Sequence, residues 1–223
     1  MQYTFDIYWA LSATAEAALL GDGPPGHVHT GSIAIALSPG ADQVLTALHA
    51  LRTSATVSYD PNLRPALLHT AEQERERVEQ LVALSDVVKA GEEDLAWLHP
   101  GVSPDETAAR WACGGPALVV LTLGAEGARA WWRGGSQDIP PVVVPVRDTV
   151  GAGDAFMAAL ISRLLHAGLL GGGSGPEAVA ARAALLAATG TDRLPTVFDD
   201  ALRTAARAAA LTCAREGANP DTL

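Results

Sequence analysis

Apolar and polar positions along this chain follow two alternating periods. Short runs rich in Val, Ile and Thr predict β-strands over 27–35, 55–59, 86–89, 117–123, 128–132 and 141–146. Longer stretches with apolar residues three and four apart predict helices over 39–51, 70–84, 92–98, 104–113, 152–167, 176–189 and 196–215. In the second of these, Val78, Leu81 and Val82 share one side and Glu and Arg hold the other. The run Ala117-Leu118-Val119-Val120-Leu121-Thr122-Leu123 has the continuous hydrophobicity of a parallel strand covered on both faces. Asp60-Pro61-Asn62 reads as a turn, Gly171-Gly172-Gly173 as a flexible loop, and residues 2–8 as a strand entered in mid-course.

Strands alternating with helices imply βαβ units, hence a mostly parallel sheet with helices on both faces. Ligands of such a sheet lie at the carboxyl ends of its strands. With 223 residues, no internal repeat and no linker, a single domain over 1–223 is expected. Composition adds limits: 48% of residues are hydrophobic but only 5% aromatic, so Ala, Leu and Val must fill the core. A net charge of −10 without clusters of Lys or Arg argues against nucleic acid and against an anionic membrane surface as partners. The chain shows no basic leader and no apolar run of membrane-spanning length, so a cytoplasmic protein is expected. Cys113 and Cys213 stand far apart and read as buried, reduced thiols. The Trp131-Trp132 pair should place one ring inside and one outside, and none of the six histidines has a partner at catalytic or metal-ligand spacing. Lys89 reads as a solvated residue at a strand end, with an approach to a phosphate the less ordinary alternative.

The chemistry concentrates in Asp148-Thr149-Val150-Gly151-Ala152-Gly153-Asp154-Ala155-Phe156, between a β-rich stretch and a long helix. Gly151 and Gly153 let the backbone approach a ligand closely. The helix that follows aims unpaired N–H groups and the positive end of its dipole at one spot, which suits a phosphate or a developing oxyanion. Asp154, in the first turn, is either a helix cap or a general base for a hydroxyl attacking phosphorus. A lone Gly-x-Gly-Asp favours the cap, whereas the full string Asp-Thr-x-Gly-Ala-Gly-Asp is far more specific.

That string resembles the C-terminal signature of the ribokinase-like (PfkB) carbohydrate kinases. Asp60-Pro61-Asn62-Leu63-Arg64 resembles the Asp-x-Asn-x-Arg segment of fructokinase and 2-keto-3-deoxygluconate kinase members, which implies substrate or phosphate contacts by Asn62 and Arg64. Val88 to Leu95 is similar to the turn carrying the family's Asn-x-x-Glu metal and phosphate motif, which implies a water-mediated Mg²⁺ role for Asp94. Thr122, Gly124 and Gly127 match the nucleotide-binding Thr-x-Gly-x-x-Gly turn. Ala210, Cys213 and Asn219 match the segment closing the adenine pocket. The resemblance spans about residues 3–220 and is closest to bacterial fructokinases. It implies a three-layer α/β/α sandwich of Rossmann type, ATP and Mg²⁺ with a monovalent cation such as K⁺, and phosphoryl transfer to a sugar hydroxyl. Asp154 would be the base, with Gly151, Ala152 and Gly153 as the anion hole.

Two departures change what is expected. Gly91 and Asp94 stand where the family has Asn and Glu, so an amide is lost and the carboxylate is shorter by one methylene. The matching segments also begin late, so the first strands of the family sheet and most of its lid are expected to be missing. That would leave an exposed apolar strand edge, which a second copy of the chain would cover in a homodimer. Three readings stay open: an active fructokinase-like enzyme, a catalytically impaired nucleotide-binding relative, and a kinase for ribose, 2-keto-3-deoxygluconate or a nucleoside.

Overall fold

A computed structural model of the chain describes residues 8–21, 23–173 and 175–218. The expected strand over 2–8 lies outside them apart from Tyr8, and so does Asn219. The elements in chain order are α1 (Ala13–Leu20), β1 (His27–Gly31), α2 (Gly40–Leu51), β2 (Thr56–Asp60), α3 (Ala71–Leu84), β3 (Val87–Gly91), α4 (Glu92–Leu98) and α5 (Pro104–Gly114). There follow β4 (Leu118–Thr122), β5 (Ala128–Trp132), β6 (Gly135–Ile139), α6 (Ala152–His166), α7 (Pro176–Thr189) and α8 (Thr196–Cys213). The strands form one six-stranded sheet whose order is the chain order. β1 to β4 run parallel, and β5 and β6 add an antiparallel hairpin at one edge.

Helices cover both faces, giving the α/β/α sandwich. One core cluster packs Leu118, Val120 and Ala130 of the sheet against Phe156, Leu160, Leu185, Phe198 and Leu202 of α6, α7 and α8. The other packs Val57, Tyr59, Val88, Val119 and Leu121 against Leu48, Leu81, Leu95 and Trp111 of α2 to α5. Each of the Val, Leu and Phe side chains contributes about 1.5–3 kcal/mol by leaving water. The helices begin where their caps dictate: Thr70 accepts from Gln73 N while Gln73 reaches back to Thr70 N, and Ser103 accepts from Glu106 N ahead of Pro104.

Several expectations are corrected. The strand expected over 27–35 ends at Gly31, because Ser32 takes a φ of +51° and donates from N to Pro61 O, starting a 3-10 turn over Ser32–Ile35. Residues 141–146 form no strand: Pro140 and Pro141 have no N–H to donate, and Val142, Val143 and Val146 are exposed. The sixth strand is instead the polar Gly135–Ile139. The loop expected at 171–173 is pinned at its first residue, since Gly171 donates to Thr56 Oγ1 at 2.9 Å and packs on Gly26. Trp132 is buried and Trp131 half-buried, as alternation requires. Cys113 is exposed and Cys213 half-buried, both as free thiols. α1 was not foreseen; Ser12 caps it and none of its residues is buried.

Candidate active site

The carboxyl ends of β1 to β4 converge on the start of α6. Gly151 caps that helix with φ +80°, a conformation that favours glycine, and a β-carbon there would lie 2.8 Å from Ala218 Cβ. The turn is anchored to the end of α8: Arg147 and Asp148 donate their amides to Cys213 O at 2.8 and 3.3 Å. The Asp148 carboxylate accepts from Val150 N at 3.0 Å and Gly217 N at 2.9 Å. These backbone donors hold Asp148 below the usual carboxylate range. Ala152 N donates to Thr149 O at 3.3 Å and Ala155 N to Gly151 O at 2.9 Å, which leaves the Gly153 and Asp154 amides between them for an incoming anion.

Asp154 sits in the first turn of α6, and Asn62 Nδ2 donates to its Oδ1 at 3.5 Å. Asn62 takes a left-handed φ of +39°, which Asn tolerates better than most residues. Arg64 folds back on the same loop, donating from Nη1 to Asn62 Oδ1 at 2.6 Å and to Leu63 O at 3.0 Å. Asp94 ties this loop to the turn after β3. Its Oδ1 accepts from Leu63 N at 2.8 Å and its Oδ2 from Gly91 N at 3.0 Å. Burial nevertheless raises its pKa above the usual carboxylate value.

Beneath the turn lies an ion pair absent from the sequence reading. Lys89 Nζ stands 2.8 Å from Asp60 Oδ2, and both side chains are about 5% exposed. The expectation of a solvated lysine fails because β3 is a central strand, covered on both faces. A Lys inside Val87-Val88-Lys89-Ala90 was itself the available signal, since an interior ammonium requires a partner. Burial is the largest influence on Asp60 and pushes its carboxyl up to about 6, against the pull of Lys89.

A cleft of about 470 Å³ runs along these strand ends, lined by Asn62, Arg64, Lys89, Asp94, Thr122 and Gly124, with Glu92, Glu93 and Trp97 at its side. Gly127, at φ +93°, packs instead against the chain at Ile139 and Pro140, and Ala210 lies buried near the end of α8. A second, apolar groove of about 610 Å³ follows α6 past Asp154, Met157, Ile161 and Leu165. His29 of the edge strand β1 also lines it, and Asp154 in this groove is joined to the cleft by Asn62, which lines the cleft and donates to it. The β1 edge carries histidines rather than an apolar row: His29 Nδ1 and His27 Nε2 both contact Ser58 Oγ at 2.9 Å. Among the described residues, no group of three or more His, Cys, Asp or Glu side chains could hold a metal ion. No helix among them is long and apolar enough to cross a membrane.

The profile of the pfkB family carbohydrate kinases matches residues 23–223. A fructokinase from Rhizobium leguminosarum bv. trifolii is 36% identical over 157 residues, covering 70% of this chain and 48% of that protein. The chain thus spans about half the length of the curated relatives it matches. A double-mutant fructokinase of Vibrio cholerae O395, in a form with bound fructose, ADP and potassium, superposes with a TM-score of 0.72 at 28% identity. The match covers 94% of this chain and 60% of that one. A fructokinase of Xylella fastidiosa with bound ATP gives a TM-score of 0.68 at 25% identity, covering 86% and 56%.

Proposed function

Given that the chain belongs to the pfkB family of carbohydrate kinases, we propose that it transfers the γ-phosphoryl group of ATP to a sugar hydroxyl, with fructose as the first acceptor to try. One observation carries this reading: Asp154 lines the apolar groove, is oriented by Asn62 of the neighbouring cleft, and follows the Gly153 amide at the start of α6. An acceptor hydroxyl in the groove then has a base on one side and a phosphoryl group on the other. The hydroxyl oxygen forms a bond to the γ-phosphorus, the bond to the β–γ bridging oxygen breaks, ADP leaves, and Asp154 takes the hydroxyl proton. The Gly151 and Gly153 amides and the helix dipole would face the charge carried by the group in flight.

The nucleotide would run from Thr122 and Gly124 toward the α6 start, with Ala210 and Cys213 near its base end. Arg64, released from Asn62, presents a planar donor fork to a phosphate. Glu92 and Asp94 at the cleft would hold Mg²⁺ through water, because both Asp94 oxygens already accept backbone N–H groups. Bound there, the ion neutralises phosphate charge.

A second reading is a nucleotide-binding relative without turnover, favoured by Gly91 and Asp94 in the turn after β3 and by the groove beside Asp154 opening at the sheet edge. ADP release from Mg-ATP, measured with a panel of sugars and with Asp154→Asn alongside, decides between them. Sugar-dependent release that the variant loses supports the kinase. Binding of ATP by folded protein without such release supports the second reading.

A further inference from the structure

Lys89 and Asp60 are 4% and 3% exposed on neighbouring parallel strands, Asp60 at the carboxyl end of β2 and Lys89 in the middle of β3. Their ion pair is incomplete. Asp60 Oδ1 is buried without a hydrogen-bond partner, and the bond to Asp60 uses only one of the three ammonium protons. A buried pair left in this state gains little stability over apolar side chains of the same volume. Its location is more telling, because a β-carbon on Gly153 would lie 2.8 Å from Lys89 Nζ. The cation therefore stands directly under the turn at the start of α6, beside Gly153, and it also lines the cleft.

An anion at that turn competes with Asp60 for the ammonium. The other groups facing Asp60 offer it no replacement: Asp94 from α4 and Asp154 from α6 are carboxylates, and its chain neighbour is the buried Tyr59. A carboxylate losing Lys89 there would be buried, unpaired and among like charges, which favours its neutral form.

We propose that Lys89 is a phosphoryl-binding residue held in reserve by Asp60, and that an anion at the Gly151–Gly153 turn draws the ammonium away while Asp60 takes up a proton from solvent. The identity of the anion, the terminal phosphoryl group of a nucleoside triphosphate, rests on the function proposed above.

The test is calorimetric titration of the full chain with a non-hydrolysable Mg-ATP analogue at neutral pH, in two buffers of unlike ionisation heat. Wild type is expected to take up about half a proton or more on binding. Asp60→Asn is expected to bind with that uptake gone and with affinity equal or higher, since it removes the competitor. The double variant Asp60→Asn/Lys89→Met, which strands no buried charge, is expected to bind about tenfold or more weakly than Asp60→Asn alone. Wild-type binding without proton uptake overturns the proposal, as does uptake unchanged in Asp60→Asn or a double variant as tight as the single one. Folded wild type that binds no analogue at all overturns the nucleotide reading, and this proposal falls with it.

Discussion

Asn62 and Asp154 lie 92 residues apart in the chain, and the amide of one donates to the carboxylate of the other at 3.5 Å. The strained backbone of Asn62 and the Asp94 bonds to Leu63 N and Gly91 N hold that amide over the start of α6. A carboxylate aimed in this way is a better acceptor of a proton than one free to rotate. Asp154→Asn is expected to lower sugar-dependent turnover by about 10²–10⁴-fold with analogue binding nearly unchanged. Asn62→Ala should cost about tenfold in kcat and little in Tm. A coupled ADP-release assay and thermal melts of both variants check this.

Gly153 occupies the second position of α6, where alanine is worth about 1 kcal/mol more to a helix. Its added methyl would meet Lys89 Nζ. Gly153→Ala is therefore expected to keep or raise Tm while weakening Mg-ATP analogue binding by about tenfold or more. Melting and titration of the same preparation separate the two effects. Loss of stability together with affinity would count against this account.

At the opposite end of the sheet, Asp86 is 2% exposed and gathers four elements. It accepts from Val57 N at 2.7 Å, from Arg182 Nε at 2.8 Å and from Arg52 Nη2 at 3.2 Å, while Arg182 also reaches Ala55 O. Removing the carboxylate leaves two arginines facing a buried hole. Asp86→Ala is expected to destabilise the fold by about 3–5 kcal/mol in urea unfolding.

Burial, helped by the neighbouring His29 charge, lowers His27 from 6.5 to about 4. A depressed histidine adds stability above its unfolded value, and that stability is lost as pH falls from about 6.5 toward 4, because the unfolded chain binds the proton first. Asp60, raised to about 6 from 3.8, works with opposite sign: its contribution is full at low pH and lost as pH rises through about 6. The two partly cancel in wild type. His27→Asn should therefore gain on wild type by on the order of 2–3 kcal/mol between about pH 6.5 and 4. Unfolding curves across that range read the difference.

Local pattern carried the elements whose two faces are both covered or whose caps are explicit. β5 and α7 fall on the residues expected, and α3 starts one residue after Thr70 because its capping box can be read directly. β6 escaped because Gly135-Ser136-Gln137-Asp138 is an edge strand with polar residues on its solvent side, whereas the valines of 142–146 looked like a strand but follow two prolines. At the site, Gly151 to Asp154 were legible because one turn holds them all. The Asp60–Lys89 pair was not, since it joins two strands through lateral neighbours that spacing along the chain does not encode. The same holds for His29, which approaches Asp154 only through the position of β1 beside β2.

Because the sheet keeps its strands in the order of the chain, distance along the sequence doubles as distance across the molecule's central plane. A nick in a loop between two strands would divide the sheet along one line, with neighbouring strands kept together on either side and α7 and the loop before it reaching back across to β2. The loop at 99–103 is such a place: β1 to β3 lie on one side, and β4 to β6 with the start of α6 on the other. The proposed base and the asparagine that steers it would then belong to different pieces, so reassembly of two halves would be needed to rebuild the candidate site.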